Sequence, residues 1–188
     1  MHMKFTSFLV CIALAASIGT ADARPRPQGI HGKKFEANKT FGAGLEFGAP
    51  FGLNGKYFLS ASNALDFGVG SSVYDDYYGY RGYHLYLDYL WHPVSLVSAE
   101  AFELPLYIGV GGLFWGWDDR RFGNVGASGS ALGFRVPIGI SFDLNNVPLD
   151  IFIQTVPTLD LFFDRPNGYN RSLYLFFDFS VGIRFWFS

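Results

Sequence analysis

The last tract of the chain, Leu175-Phe176-Phe177-Asp178-Phe179-Ser180-Val181-Gly182-Ile183-Arg184-Phe185-Trp186-Phe187, decides the fold. Leu175, Phe177, Phe179, Val181, Ile183, Phe185 and Phe187 alternate with Phe176, Asp178, Ser180, Gly182, Arg184 and Trp186. Successive side chains of a strand point to opposite faces, so one face is wholly apolar and the other carries both charges. The tract is about twice as long as the 5–6 residues of an ordinary globular strand.

The same period of two recurs upstream. Leu132, Phe134, Val136, Ile138, Ile140 and Phe142 alternate with Gly133, Arg135, Pro137, Gly139 and Ser141; Leu149, Ile151, Ile153 and Thr155 alternate with Asp150, Phe152, Gln154 and Val156. Extended over the chain, this reading predicts eight tracts near 39–48, 53–61, 64–74, 82–92, 105–117, 131–143, 148–162 and 173–187. Pro137 and Pro157 each cost a ladder bond and predict bulges. Short connections such as Ser60–Asn63 and Asn145–Pro148 alternate with long ones, Tyr74–Gly82, Asp118–Ser130 and Phe163–Ser172. Two connections break that rule: Gly48–Gly52 is short, and Pro93–Leu104 is long for a turn.

Composition says what surrounds these strands. The 188 residues are 49% hydrophobic and 19% aromatic but only 16% charged, against roughly 25% in a soluble domain. Disorder is excluded, because disordered chains are poor in aromatics and rich in charge. Membrane helices are excluded too. Past the N-terminus, the longest stretch free of charge, Leu104–Trp117, is broken by Pro105 and by Gly109, Gly111, Gly112 and Gly116, and a spanning helix needs about 20 apolar residues. A net charge of −2 gives no basic footprint for nucleic acid.

Lys4, the apolar run Phe5–Ala21 and the small residues Ala21 and Ala23 form a secretory signal with cleavage after Ala23. The chain therefore divides into a signal peptide at 1–23, a polar, flexible periplasmic lead-in at 24–38 and one strand domain at 39–188. Cys11, the only cysteine, leaves with the signal, so disulfides and cysteine metal sites are not expected.

A soluble sandwich would also alternate. Tract length, however, matches the 9–11 residues of a tilted membrane strand. Tyr83, Tyr89 and Trp91 stand near strand ends, as interfaces favour, and the chain is exported. In lipid an open edge would leave bare N–H and C=O groups, so the sheet must close. The expected fold is all-β: a closed eight-stranded antiparallel transmembrane β-barrel.

The Phe179-Val181-Ile183-Phe185-Phe187 pattern resembles the terminal signal by which outer-membrane proteins are recognised for barrel assembly. The eight-strand plan is similar to the small OmpA- and OmpX-like barrels. More closely, the chain resembles a family of small outer-membrane barrels of spirochaetes and other diderm bacteria. The segments that carry this are Gly55–Phe58, Asp88–His92, Pro105–Gly112, Arg135–Ile140 and Ile151–Pro157. The resemblance implies outer-membrane lipid and the assembly machinery as partners, and no particular activity.

Opposite the lipid face the pleat carries Glu46, Lys56, Asp66, His84, Asp88, Arg135, Gln154, Asp178 and Arg184. Arg or Lys at the lipid midplane costs about 2–4 kcal/mol, so these must face the lumen and pair there. They could line a selective pore or form a structural polar core. The core reading is preferred, because eight-stranded interiors are just wide enough for side chains to fill. Phe58, Tyr86, Tyr107, Trp115, Phe152 and Trp186 point the same way, with Gly42, Gly68, Gly109 and Gly139 making room.

The long connections are expected outside the cell. There Tyr74, Tyr77, Tyr78, Tyr80, Arg120 and Arg121 are candidate contacts for an external ligand; an aromatic belt or lipid phosphates would use the same residues. Acid pairs such as Asp75-Asp76 lack the 6–8 oxygens calcium takes, so no metal or cofactor is expected. Lipid-modifying enzymes use such barrels, but His92 with Ser95 and Glu100 falls on the periplasmic side. The function expected is a monomeric, non-enzymatic envelope barrel, structural or ligand-binding; a narrow channel and a lipid-modifying enzyme are the alternatives.

Overall fold

The computed structural model describes residues 32–71, 80–119, 128–163 and 172–187. All its regular structure is antiparallel sheet. The strands are β1 Phe41–Gly48, β2 Phe51–Phe58, β3 Asn63–Ser71, β4 Tyr80–Ser98, β5 Phe102–Asp119, β6 Ser128–Arg135, β7 Ile138–Leu144, β8 Leu149–Phe163 and β9 Ser172–Trp186. Neighbours in the chain pair, except that β6 and β7 lie end to end and each bridges β5 and β8; β1 also pairs with β9, so the nine strands form a ring.

All eight tracts of the alternation are present, the sixth divided into β6 and β7. The division falls at Val136-Pro137, yet no bulge accompanies it, contrary to the expectation from Pro137 and Pro157. Gly111 pairs with Arg135 and Ile108 with Ile138, a register that continues unbroken. Gly109 N–H donates to Pro137 O at 2.8 Å and Val136 N–H to Pro157 O at 3.0 Å. Each proline keeps its carbonyl bond and forfeits only the donor it lacks.

The real register shifts lie in β4, one between Trp91 and Val94, across Pro93, and one beyond it between Ser95 and Ser98. They also correct the long connection expected at 93–104. Bulging absorbs Pro93, so β4 and β5 run on to a short turn at 99–101. The β1–β2 turn needs its glycine: Gly48 has φ +134° and lies against Phe179 O, where a Cβ has no room.

Burial alternates with the pleat. Along β8 every second residue from Asp150 to Phe162 is buried, while the residues between face outward. The molecule is thereby inverted relative to a soluble domain. Leu53, Leu87, Leu132, Ile153, Val181 and Ile183 are exposed, whereas Glu46, Lys56, Asp66, Asp88, Arg135, Asp150 and Arg184 are buried.

The described part of the lead-in, residues 32–38, touches the ring through two backbone hydrogen bonds and one buried side chain. Ser95 N–H donates to Lys33 O and Ala37 N–H to Ala61 O, and the Phe35 ring is buried at the end of the ring that holds both described chain ends. An aromatic side chain in a polar linker finds burial only by folding back, which periodicity does not register.

Candidate functional site

The inward positions of β1, β2, β3, β4, β8 and β9 meet in one polar cluster. Arg184 lies at its centre: Nη2 is 2.9 Å from Asp66 Oδ2, Nη1 3.4 Å from Asp150 Oδ2, and Nε donates to Asn54 Oδ1. Its guanidinium plane covers the Phe152 ring at 3.9 Å. The Asn54 amide donates to Asp66 Oδ1 at 2.6 Å and to the Tyr86 hydroxyl at 2.5 Å, so Asn54 spends its oxygen on the cation and its protons on acceptors.

Glu46 is held by neutral donors. Tyr86 OH donates to Oε2 at 2.5 Å, and Ser180 Oγ and Gln154 Nε2 donate to Oε1 at 2.6 and 3.0 Å. Gln154 also donates to Ser180 and accepts from Tyr107 OH, both at 3.0 Å. Six of the expected lumenal residues are thus brought together or adjoin this cluster: Glu46, Lys56, Asp66, Asp88, Gln154 and Arg184. Lys56 faces Asp66 in register, but its ammonium lies over the Tyr107 ring at 4.8 Å and the Phe58 ring at 5.2 Å. Asp66 is taken by Arg184.

Arg135 forms a second group. Its Nε is 3.0 Å from Asp88 Oδ2, and its guanidinium covers the other side of the network at the Tyr86 ring, 3.9 Å away. The ion pair is close but not aligned: the Arg135 nitrogens and Asp88 Oδ1 have no hydrogen-bond partner among the described residues. We therefore read it as charge neutralisation rather than a directed bond. Asp160 accepts from Trp115 Nε1 at 3.1 Å in the same region. Asp178 is the exception among the expected residues; it is only half-buried and joins none of these ion pairs among the described residues.

At the other end the lead-in caps the cluster. Lys39 Nζ is 2.5 Å from Asp143 Oδ1 and 2.9 Å from Leu144 O. Phe35 packs on Phe58 and His92, with ring centroids 5.8 and 5.2 Å apart. His92 turns Nδ1 to Ser62 O at 3.1 Å, while Ser95 Oγ donates to Val97 O at 2.9 Å. That geometry points the histidine and the serine at separate carbonyls.

Aromatic rings fill the remaining space against glycines. A Cβ at Gly68 would run into the Tyr86 ring, at Gly139 into Tyr107, at Gly182 into Phe152 and at Gly42 into Trp186. Such large-beside-small layering packs the lumen.

Sequence reasoning passed over Asn54, Asp143, Asp150, Asp160 and Ser180. All share the parity of residues it named, so counting by twos from Lys56, Arg135, Gln154 or Arg184 reaches them. Phe35 and Lys39 precede the first strand and carry no such signal. Of the candidate ligand contacts, Tyr74, Tyr77, Tyr78, Arg120 and Arg121 lie outside the described residues, as does the Tyr80 side chain. The signal peptide lies outside them as well. Phe179, Val181, Ile183 and Phe185 face outward and exposed, and Phe187 is half-buried against Phe41.

No protein-family model, curated protein or solved structure matches this chain.

Proposed function

We infer that the ring is a closed eight-stranded barrel spanning the outer membrane of a diderm bacterium, a non-enzymatic envelope protein with a packed lumen. The observation that carries this is the inversion of polarity: buried charges at the centre and a continuous apolar outer face. In water such a surface would aggregate; in lipid it is the surface required.

Register supports closure. A hydrogen-bonded row leaves β9 at Arg184, passes Gly44, Asn54, Gly68, Tyr86, Leu113, Gly133 and Asp160, and re-enters β9 at Tyr174. Taking β6 and β7 as one strand, the stagger is about ten residues over eight strands. At about 3.3 Å per residue and 4.8 Å per strand, this gives a tilt of about 40°, within the range for membrane barrels.

The described strand ends at Ser71, Tyr80, Asp119, Ser128, Phe163 and Ser172 lie at one end of the ring and both described chain ends at the other, which favours that first end facing outward from the cell. The role of the long connections is either to complete a structural envelope barrel or to bind a surface ligand. Heat-modifiable migration together with outer-membrane fractionation tests the barrel. A chain that runs identically boiled and unboiled, and fractionates as soluble, would end this reading. Planar-bilayer recording tests the lumen: no stable open channel is expected, and porin-size conductance would replace the packed core with a transport function.

A further inference from the structure

At the end of the ring that holds both described chain ends, β4 outruns its neighbour β3. Their pairing ends at Asn63–Trp91, while β4 continues to Ser98 with β5 on its other side. The edge of β4 beyond β3 is met by other backbone: His92 N–H donates to Ser62 O and Ser95 N–H to Lys33 O, both at 2.8 Å. Lys33 and Ser95 form an antiparallel bridge. Directly opposed residues of such a pair share a face. Ser95 is buried and points inward, so Lys33 takes the inward parity, Lys34 the outward one and Phe35 the inward one again. Phe35 is accordingly buried and Lys34 exposed. Two adjacent lysines are thus presented to opposite sides of the wall.

Two features set Lys34 at the level of lipid headgroups. The first is what lies around it on the outer face of β4. Lys34 stands opposite Val94, a Cβ on Gly32 would sit 3.1 Å from Val94 Cγ2, and the outward Leu96 is exposed. Towards the middle of the wall come Trp91 and Tyr89, edge to face at 4.9 Å, and Tyr57, which shares a cross-strand row with Tyr89 through Leu65. Outward aromatic rings of this kind mark the boundary between hydrocarbon and headgroups. Val94 is about 10 Å along the strand from Trp91, so Lys34 falls just outside the aromatic level, where phosphates lie. The second feature is charge. Among the described residues no carboxylate pairs with Lys34. From Arg24 to Phe35 the sequence carries Arg24, Arg26, Lys33 and Lys34 and no acidic residue.

We propose that Lys34 and the outer face of β4 form a site for the phosphate of an anionic phospholipid in the periplasmic leaflet. The inference rests on the membrane-barrel reading. The stem of Lys34 lies along Val94 and Leu96 and its ammonium reaches the phosphate, as long cationic side chains do at a membrane boundary. The acyl chains of the same lipid run along β4 past Trp91. Lys33 has the same charge but stands on the other side of the wall, and takes no part. The bridge to Ser95 is what gives one lysine to the lipid and the other to the periplasm.

The test is quenching of Trp91 by brominated lipid in the full-length mature protein, with Trp115, Trp117 and Trp186 replaced by Phe. Phosphatidylcholine bilayers receive increasing fractions of phosphatidylglycerol or of phosphatidylcholine, each brominated near the head of the acyl chain. Phosphatidylglycerol should half-quench Trp91 at about one-fifth of the mole fraction that phosphatidylcholine needs, the advantage of one cation close to an anionic headgroup. Lys34→Gln should abolish that advantage, Lys34→Arg keep it and Lys33→Gln leave it unchanged. Equal quenching by the two lipids in the parent overturns the site and leaves the barrel standing. Equal losses from Lys33→Gln and Lys34→Gln overturn it as well, in favour of a diffuse attraction that the bridge does not direct. A Trp91 that neither lipid quenches removes the membrane reading itself. If the tryptophan replacements prevent assembly, urea unfolding of the otherwise native chain in vesicles with and without phosphatidylglycerol answers the same question. Phosphatidylglycerol should raise the unfolding midpoint of the parent and of Lys33→Gln but not of Lys34→Gln, and identical responses of the two variants overturn the proposal.

Discussion

Arg184, on the last strand, reaches across the lumen to Asp66 on the third, with Nη2 2.9 Å from Oδ2 and both side chains buried. The two strands are not neighbours in the ring; β1 and β2 lie between them. The pair therefore ties opposite walls together where the ladder alone ties only adjacent ones.

Removing one partner should be costly. Arg184→Met leaves Asp66 and Asp150 buried without their cation, a loss of about 3–5 kcal/mol. Combining it with Asp66→Asn should recover part of that loss, since a neutral amide no longer demands a counter-charge. Urea unfolding in phospholipid bilayers, followed by tryptophan emission, measures both. A single variant within about 1 kcal/mol of the parent would show that the guanidinium is dispensable.

Glycines facing the lumen should be intolerant of a methyl group. Gly139 and Gly68 lie directly under the Tyr107 and Tyr86 rings, both of which belong to the polar network. An alanine at either position must displace a ring in a packed interior, at about 1–3 kcal/mol. Gly112, exposed on the outer face with its nearest would-be contact at 3.6 Å, is the control and should accept alanine with little change. Equal effects at all three positions would contradict the packed lumen.

The parity of the strands was legible in the chain because a pleat has a period of two and one face had to be apolar. From Leu175–Phe187 alone it follows that Arg184 points inward. Which carboxylate Arg184 would choose was not legible. Lys56 and Asp66 face each other in register, yet Asp66 turns to Arg184. That choice depends on the stagger around the ring, a sum over every register that no single segment encodes. Strand ends were read less well than strand faces. The stretch from Pro93 expected as a connection is strand instead: one bulge across Pro93 and a second beyond it keep β4 running to Ser98.

The N-terminal strap should contribute to stability although it contains no strand. Phe35 is buried against Phe58 and His92, and Lys39 pairs with Asp143. Phe35→Ala removes a fully buried ring, a change worth about 3–5 kcal/mol in a core. The same variant should make the chain N-terminal to β1 a faster target for added protease. If stability and cleavage rate both stay at parental values, residues 32–39 do not hold the end of the ring.

The outer face supplies the sharpest division between a membrane protein and a soluble one. On a water-exposed surface, replacing an exposed leucine by arginine usually changes stability by no more than about 0.5 kcal/mol. In a bilayer the same change costs about 2–4 kcal/mol at the midplane and about 0–1 near the interface. Leu87 is exposed midway along β4, and Val147 is exposed in the short β7–β8 connection. The expected result in phospholipid bilayers is therefore a depth-dependent pair: Leu87→Arg strongly destabilising and Val147→Arg nearly neutral. Two near-zero values would mean that this belt does not meet hydrocarbon, and two equally large ones would mean that the membrane is placed wrongly along the ring axis. Only an unequal pair fits a barrel whose charged core is hidden from lipid by its own wall.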